Sequence, residues 1–126
     1  MKFQPDRIEG LSITAYGADW VAINGEKCTS SVVISTAGDR FAWPCTDFEA
    51  LDASHFEPIA ALDAEILIFG SGPRIRFPQP QWLQALMAKR IGVETMDTHA
   101  ACRTYNFLAS EGRKVAVALL LPGAPG

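Results

Sequence analysis

Two uninterrupted apolar runs constrain this chain more than anything else in it: Ile66-Leu67-Ile68-Phe69, bounded by Glu65 and Gly70, and residues 115–121. A strand with one wet face alternates apolar and polar residues, whereas a strand with no polar position must be covered on both faces. Two such strands call for a sheet held between other layers, and the residues between them supply the cover. Pro80 opens a helical pattern with Trp82, Leu83, Leu86 and Met87 on one face, stopped by Gly92 after Ile91. Residues 92–96 read as a short strand. Asp97 or Thr98 then caps a second helix that runs to Glu111 and stops at Gly112, with Ala101, Tyr105 and Leu108 on its inward stripe. Strand, helix, strand, helix, strand is the order of right-handed crossovers around a mostly parallel core.

The first third has the shorter rhythm of β structure. Leu11, Ile13 and Ala15 alternate with polar or small residues, and Ala15-Tyr16-Gly17 ends that run. Trp20, Val21 and Ile23 form a strand closed by Asn24-Gly25, a hairpin turn because both residues tolerate positive φ. Residues 27–35, with Thr29, Val32, Val33 and Ile34, read as one further strand; Ala37-Gly38-Asp39 turns it, and residues 40–43 return before Pro44. Thr46 or Asp47 caps a short helical segment with Phe48 and Leu51 on one side. Phe56, Ile59, Ala60 and Leu62 continue that spacing, which Pro58 divides into two short turns. The expected architecture is one α/β domain over residues 1–126, ordered over about 8–121, with a mixed, mostly parallel sheet covered by helices. The tail from Pro122 to Gly126 is expected to be loose.

Charge and cysteine usage narrow the function classes. The net charge is −3, and the eleven Lys and Arg are spread out with no run that could track a phosphate backbone, so nucleic-acid binding is not expected. No apolar stretch approaches the roughly 20 residues of a spanning helix. Residues 1–10 contain Lys2, Asp6, Arg7 and Glu9 and no hydrophobic signal core, so a cytoplasmic location is expected. Cys28, Cys45 and Cys102 form no Cys-x-x-Cys pair, and His55 and His99 complete no zinc set; reduced thiols, no metal and no cofactor are expected.

Two polar segments remain as candidate chemistry. Gly70-Ser71-Gly72 follows a buried strand, and its glycines would let backbone N–H groups approach a ligand. It lacks the third glycine and immediate helix of a dinucleotide fingerprint, so the alternative is a tight strand exit. The second segment is Asp97-Thr98-His99-Ala100-Ala101-Cys102-Arg103-Thr104-Tyr105-Asn106. Exposed amides at a helix start favour an anion, and Arg103 one turn in would complete such a site with its guanidinium fork. The alternative is that Asp97 or Thr98 only caps the helix while Arg103 pairs with a neighbouring carboxylate; a cap alone is worth about 1 kcal/mol. If both preceding strands are parallel neighbours, the two segments share one sheet edge, where crevices of open α/β sheets form. Cys102 beside Arg103 has the surroundings of an acidic thiol, against the reading of a small core residue. His55 has no recognisable partner, and His99 reads as solvated.

The strand-turn of residues 66–72, the stretch from Gly92-Val93-Glu94-Thr95-Met96 through Asn106, and Ala109-Ser110-Glu111-Gly112-Arg113 leading into the last strand together resemble one family. It is the family of small domains that includes the mitochondrial respiratory complex I assembly factor three proteins, and the resemblance runs from about residue 8 to 121. Ser71 stands where many relatives have threonine, and His99 where they have glycine or a small residue. The resemblance implies a three-layer α/β fold with a central mixed sheet and an additional N-terminal β layer. It attaches no catalytic reaction. It implies a non-enzymatic binding or assembly protein with a respiratory-complex subunit or another assembly factor as partner. The alternative from the residues is an enzyme or sensor for a small anion, with Gly70, Ser71, Gly72, Asp97, Thr98 and Arg103 as its site. Exposed edge strands would allow an oligomer.

Overall fold

The computed structural model describes residues 10–122; the expectations for the first nine residues and for the tail after Pro122 fall outside them. Among the described residues, eight strands form two sheets: β1 (Ile13–Tyr16), β2 (Val21–Ile23) and β3 (Glu26–Cys28) in one, and β4 (Val32–Ser35), β5 (Arg40–Ala42), β6 (Ile66–Gly70), β7 (Gly92–Met96) and β8 (Val115–Leu119) in the other. The larger sheet has the order β5-β4-β8-β6-β7. Its two apolar runs lie side by side: β6 pairs in parallel with both β7 and β8, while β4 meets β8 and β5 antiparallel. The sheet is therefore mixed, with the parallel part confined to β7-β6-β8.

Its two faces bury different partners. On one, Val33, Leu67, Phe69, Ala116 and Ala118 pack under Trp43, which directly follows β5, under Phe56, Ile59 and Leu86 from the short helices α1 (Ala53–Phe56) and α2 (Gln84–Ala88) and the 3-10 turn after α1, and under Ile91, which directly precedes β7. On the other, Val32, Ile34, Ile68, Val117 and Leu119 meet Ala101, Cys102 and Tyr105 of α3 (Thr98–Ser110) and Ile13, Val21 and Ile23 of the small sheet. The result is three layers: short helices, the central sheet, and α3 alongside the hairpin sheet.

Residues 27–35 do not form one strand. Chain leaves the small sheet at Cys28 and enters the large one at Val32, and Arg40 reaches back to Glu26 at 2.9 Å across the two sheets. The Asn24-Gly25 turn forms as expected, with φ of 48° and 87°. The helical pattern after Pro80 departs from expectation. It begins as a 3-10 turn over Pro80–Leu83, and Met87 ends up 61% exposed instead of joining Leu86 inward. Nor does Gly92 end that helix. Arg90 does so at φ 60°, with its N–H donating to the Met87 carbonyl while the Ile91 N–H donates to the Leu86 carbonyl, the double closure of a left-handed C-terminal cap. A side chain is strained in that conformation and glycine is not. Arg90→Gly should therefore stabilise the fold by up to about 1 kcal/mol, the relief of strain exceeding glycine's extra unfolded-state entropy. An unchanged or lower thermal midpoint would contradict this account of the cap.

Candidate functional site

Parallel pairing brings three strand ends to one rim. Gly70 lies in register with Met96 of β7 and with Leu119 of β8, so the turn after β6, the start of α3 and the exit of β8 converge. Thr98 ties them together. Its hydroxyl accepts the Gly72 N–H at 2.9 Å and donates to the Leu120 carbonyl at 3.0 Å, while its own N–H donates to the Gly72 carbonyl at 2.9 Å. Leu120 N–H in turn donates to the Gly70 carbonyl at 3.0 Å. The approach is close enough that a Cβ built on Gly70 would lie 3.0 Å from both Thr98 Cα and Ala101 Cβ. Gly72 has a different reason to be glycine: its φ is 105°.

The donors and acceptors at this rim are largely spent on the chain itself. The Asp97 carboxylate accepts the Ala100 N–H at 2.9 Å, so the helix start carries its own negative charge. Ser71 is 2% exposed; its hydroxyl lies 2.8 Å from the Arg74 carbonyl and accepts the Arg76 N–H at 2.9 Å. Five of the six residues singled out in the sequence, Gly70, Ser71, Gly72, Asp97 and Thr98, are therefore neighbours.

Arg103 is carried elsewhere. Five residues along a helix place it about 140° around the axis from Thr98. Its guanidinium is exposed and donates to the Tyr16 hydroxyl at 3.0 Å, where the sequence had offered a carboxylate or an anion. His99 shares that face. Its Nε2 sits 2.6 Å from the Gly17 carbonyl, so this nitrogen carries the proton, and its ring lies 4.7 Å from that of Tyr16. His99 is thus partnered and half-buried, not solvated. One turn on, the Asn106 side chain donates to the Ile13 carbonyl at 2.7 Å and accepts its N–H at 3.0 Å, acting as a strand partner, and the Tyr105 hydroxyl donates to the Leu11 carbonyl at 2.6 Å. The polar run does two jobs: its first two residues knot the rim, and the rest clasp the small sheet. Sequence reading singled out Tyr16 and Gly17 only as the end of a strand run and missed their contacts with α3, as it missed the role of Asn106. The signal was present in the spacing of His99, Arg103 and Asn106, a polar stripe at helical period.

Two adjoining clefts open at the rim, of about 270 and 220 Å³, both bordered by Ala18, Gly72, Pro73 and residues 120–122. The smaller reaches Asp97, Thr98 and His99. The larger reaches Phe48, Glu49, Arg74 and Arg76. There the Arg76 guanidinium lies 4.3 Å over the Phe48 ring and 2.6 Å from Glu49, and this hydrogen bond holds the Glu49 carboxyl below its ordinary range. Arg103 borders neither cleft. Cys102 is fully buried, and burial pushes its thiol up to about 12, the opposite of an activated nucleophile. Among the described residues no group of three or more His, Cys, Asp or Glu is placed to hold a metal ion, and no helix is long and apolar enough to cross a membrane.

A family described as "Protein of unknown function (DUF498/DUF598)" matches residues 13–120. A Xenopus tropicalis protein named NADH dehydrogenase (ubiquinone) 1 alpha subcomplex assembly factor 3 is 29% identical over 123 residues, covering 96% of this chain and 67% of that protein. The Bos taurus protein of the same name is 45% identical over 114 residues, covering 89% and 61%. The chain thus spans about two thirds or less of these curated relatives. Among solved structures, a Bordetella parapertussis protein superposes with a TM-score of 0.82 at 36% identity, over 88% of this chain and 95% of that one.

Proposed function

Because the chain belongs to the DUF498/DUF598 family, whose matched relatives include NADH dehydrogenase assembly factors, we propose that it is a non-enzymatic binding protein assisting assembly of a respiratory NADH dehydrogenase. The observation that carries this reading is the similarity to those named assembly factors along nearly the whole chain. The rim supports it from the physical side. A site evolved for reaction keeps groups unspent and pKa values displaced toward the working pH; here the Ser71 and Thr98 hydroxyls serve backbone partners, Asp97 fills the helix start, and the one thiol at hand is buried and protonated. Under this reading Gly70, Ser71, Gly72, Asp97 and Thr98 build a helix–sheet junction and Arg103 helps dock β1.

The test is genetic. In a host that carries this chain and a multisubunit NADH dehydrogenase, deletion should lower the assembled enzyme several-fold on native gels and leave subassemblies behind, with recovery when the chain is returned. Full assembly in the deletion strain would sink the reading.

A further inference from the structure

The stretch from the buried strand β6 to the edge strand β7 contains an oddity that neither the junction nor the core explains. Residues 66–93 carry Arg74, Arg76, Lys89 and Arg90 and no carboxylate, within a chain of net charge −3. Inside it, the extended loop of residues 73–79 alternates Arg74, Ile75, Arg76 and Phe77, with Ile75 50% and Phe77 69% exposed. Two such apolar side chains two residues apart would be a liability on a mobile loop. This one is held. The buried Ser71 hydroxyl grips the loop at both the Arg74 carbonyl and the Arg76 N–H, Arg76 is fixed between Glu49 and the Phe48 ring, and Pro73, Pro78 and Pro80 stiffen its ends. Hydrogen bonds from a buried serine, spent on presenting an aromatic and an aliphatic group to water, are the mark of preorganisation for contact. At the loop's root lies the larger cleft.

We propose that the 73–79 loop, with the cleft at its root, is a docking surface for an acidic amphipathic segment of another protein, whose apolar side chain lies against Ile75 and Phe77 while a carboxylate meets Arg74. Arg74 is the cation left for this, since it has no ion-pair partner among the described residues. A concave cleft takes a protruding side chain and not the plane of a lipid surface. A second copy of the chain fits less well. Its acid-rich stretch, residues 45–65, has six carboxylates and no Lys or Arg, but Glu49, Asp52, Asp63 and Glu65 are already engaged within the chain.

This surface rests on the assembly reading only for the identity of the partner, and the two fail separately. The experiment places photoreactive benzoylphenylalanine in the whole protein in its host, as Phe77→benzoylphenylalanine, with Phe107→benzoylphenylalanine on the exposed side of α3 as control. The expected product is one identified protein crosslinked at 77 and not at 107, through a peptide bearing both carboxylates and apolar residues. Adding Arg74→Glu should lower its yield roughly tenfold, the loss of one desolvated ion pair, with no change in thermal midpoint because Arg74 is exposed. Crosslinks to phospholipid, to the chain itself, or equally from both positions would overturn the proposal. If the deletion strain assembles its NADH dehydrogenase normally and the crosslink still forms, the assembly role falls and the surface stands. If deletion blocks assembly and the chain carrying both Arg74→Glu and Phe77→Ser restores it fully, the surface falls.

Discussion

Thr98→Val should lower the unfolding free energy by about 2–4 kcal/mol, while Thr98→Ser should cost no more than about half of that. The two substitutions separate shape from hydrogen bonding. Valine fills the same volume, so packing against Ala101 and the strand ends is kept. What it removes is the oxygen that takes the Gly72 N–H and the proton that satisfies the Leu120 carbonyl, both at buried positions. An unpaired buried donor or acceptor costs about 1–3 kcal/mol, and here one substitution orphans one of each. Serine keeps both bonds and gives up a methyl group. Chemical denaturation with a two-state fit checks the pair. The contrast with Arg103→Ala sharpens it: that guanidinium is exposed and makes one bond to Tyr16, so its loss should leave the denaturation midpoint close to that of the parent. Equal stability of Thr98→Val and the parent would mean that the hydroxyl does not knot the rim, and the residues there would again need a ligand to explain them.

The two apolar runs were legible because periodicity reports burial directly. Strands with no polar position had to lie in the interior, and β6 and β8 are adjacent there. Asn24-Gly25 and the Asp97 cap were legible for a local reason, each being fixed by the conformational preference of one or two residues. What failed depended on distant partners. β-branched residues at 29 and 32–34 say strand but not which sheet. The break between Cys28 and Val32 is stabilised by Ser31, whose hydroxyl donates to the Leu121 carbonyl and accepts its N–H, ninety residues away. Met87 was misplaced because the helix opens as a 3-10 turn, which advances about 120° per residue instead of about 100° and so rotates the apolar stripe. The rim was half legible for the same mixture of reasons. That two strand ends would meet followed from parallel crossovers; that Arg103 would turn away toward Tyr16 required knowing that a second sheet packs beside α3, which no local pattern stated.

Alkali should destabilise this protein progressively above about pH 9, with Cys102 the largest contributor, since burial also raises the Cys45 thiol. Cys102 and Tyr105 are one helical turn apart on the buried side of α3, and burial raises both, the thiol from 9.0 to about 12 and the phenol upward from 10.0. Each is neutral when protonated, so a raised value in the fold means that the fold resists their ionisation. Below pH 9 neither form differs in protonation between folded and unfolded chain, and the stabilisation is intact. As pH rises past the unfolded thiol's value, the unfolded chain loses a proton that the folded chain keeps, and stability declines until the folded group ionises as well. At pH 11 the thiol accounts for about 2–3 kcal/mol of lost stability and the phenol for about 1 kcal/mol more. For a domain of this size that is a large share of a total stability of about 5–15 kcal/mol. Cys102→Ala tests the assignment: whatever the small cavity costs at neutral pH, the slope of unfolding free energy against pH between about 9.5 and 11 should fall by about one proton. Native Cys102 should correspondingly resist alkylation at pH 8 and label only on unfolding. A parent whose stability is flat from pH 8 to 11, or a Cys102→Ala variant with the parental slope, would show that the thiol beneath α3 meets solvent, and the tight helix–sheet contact built on Gly70 and Ala101 would have to be looser than its 3.0 Å geometry requires.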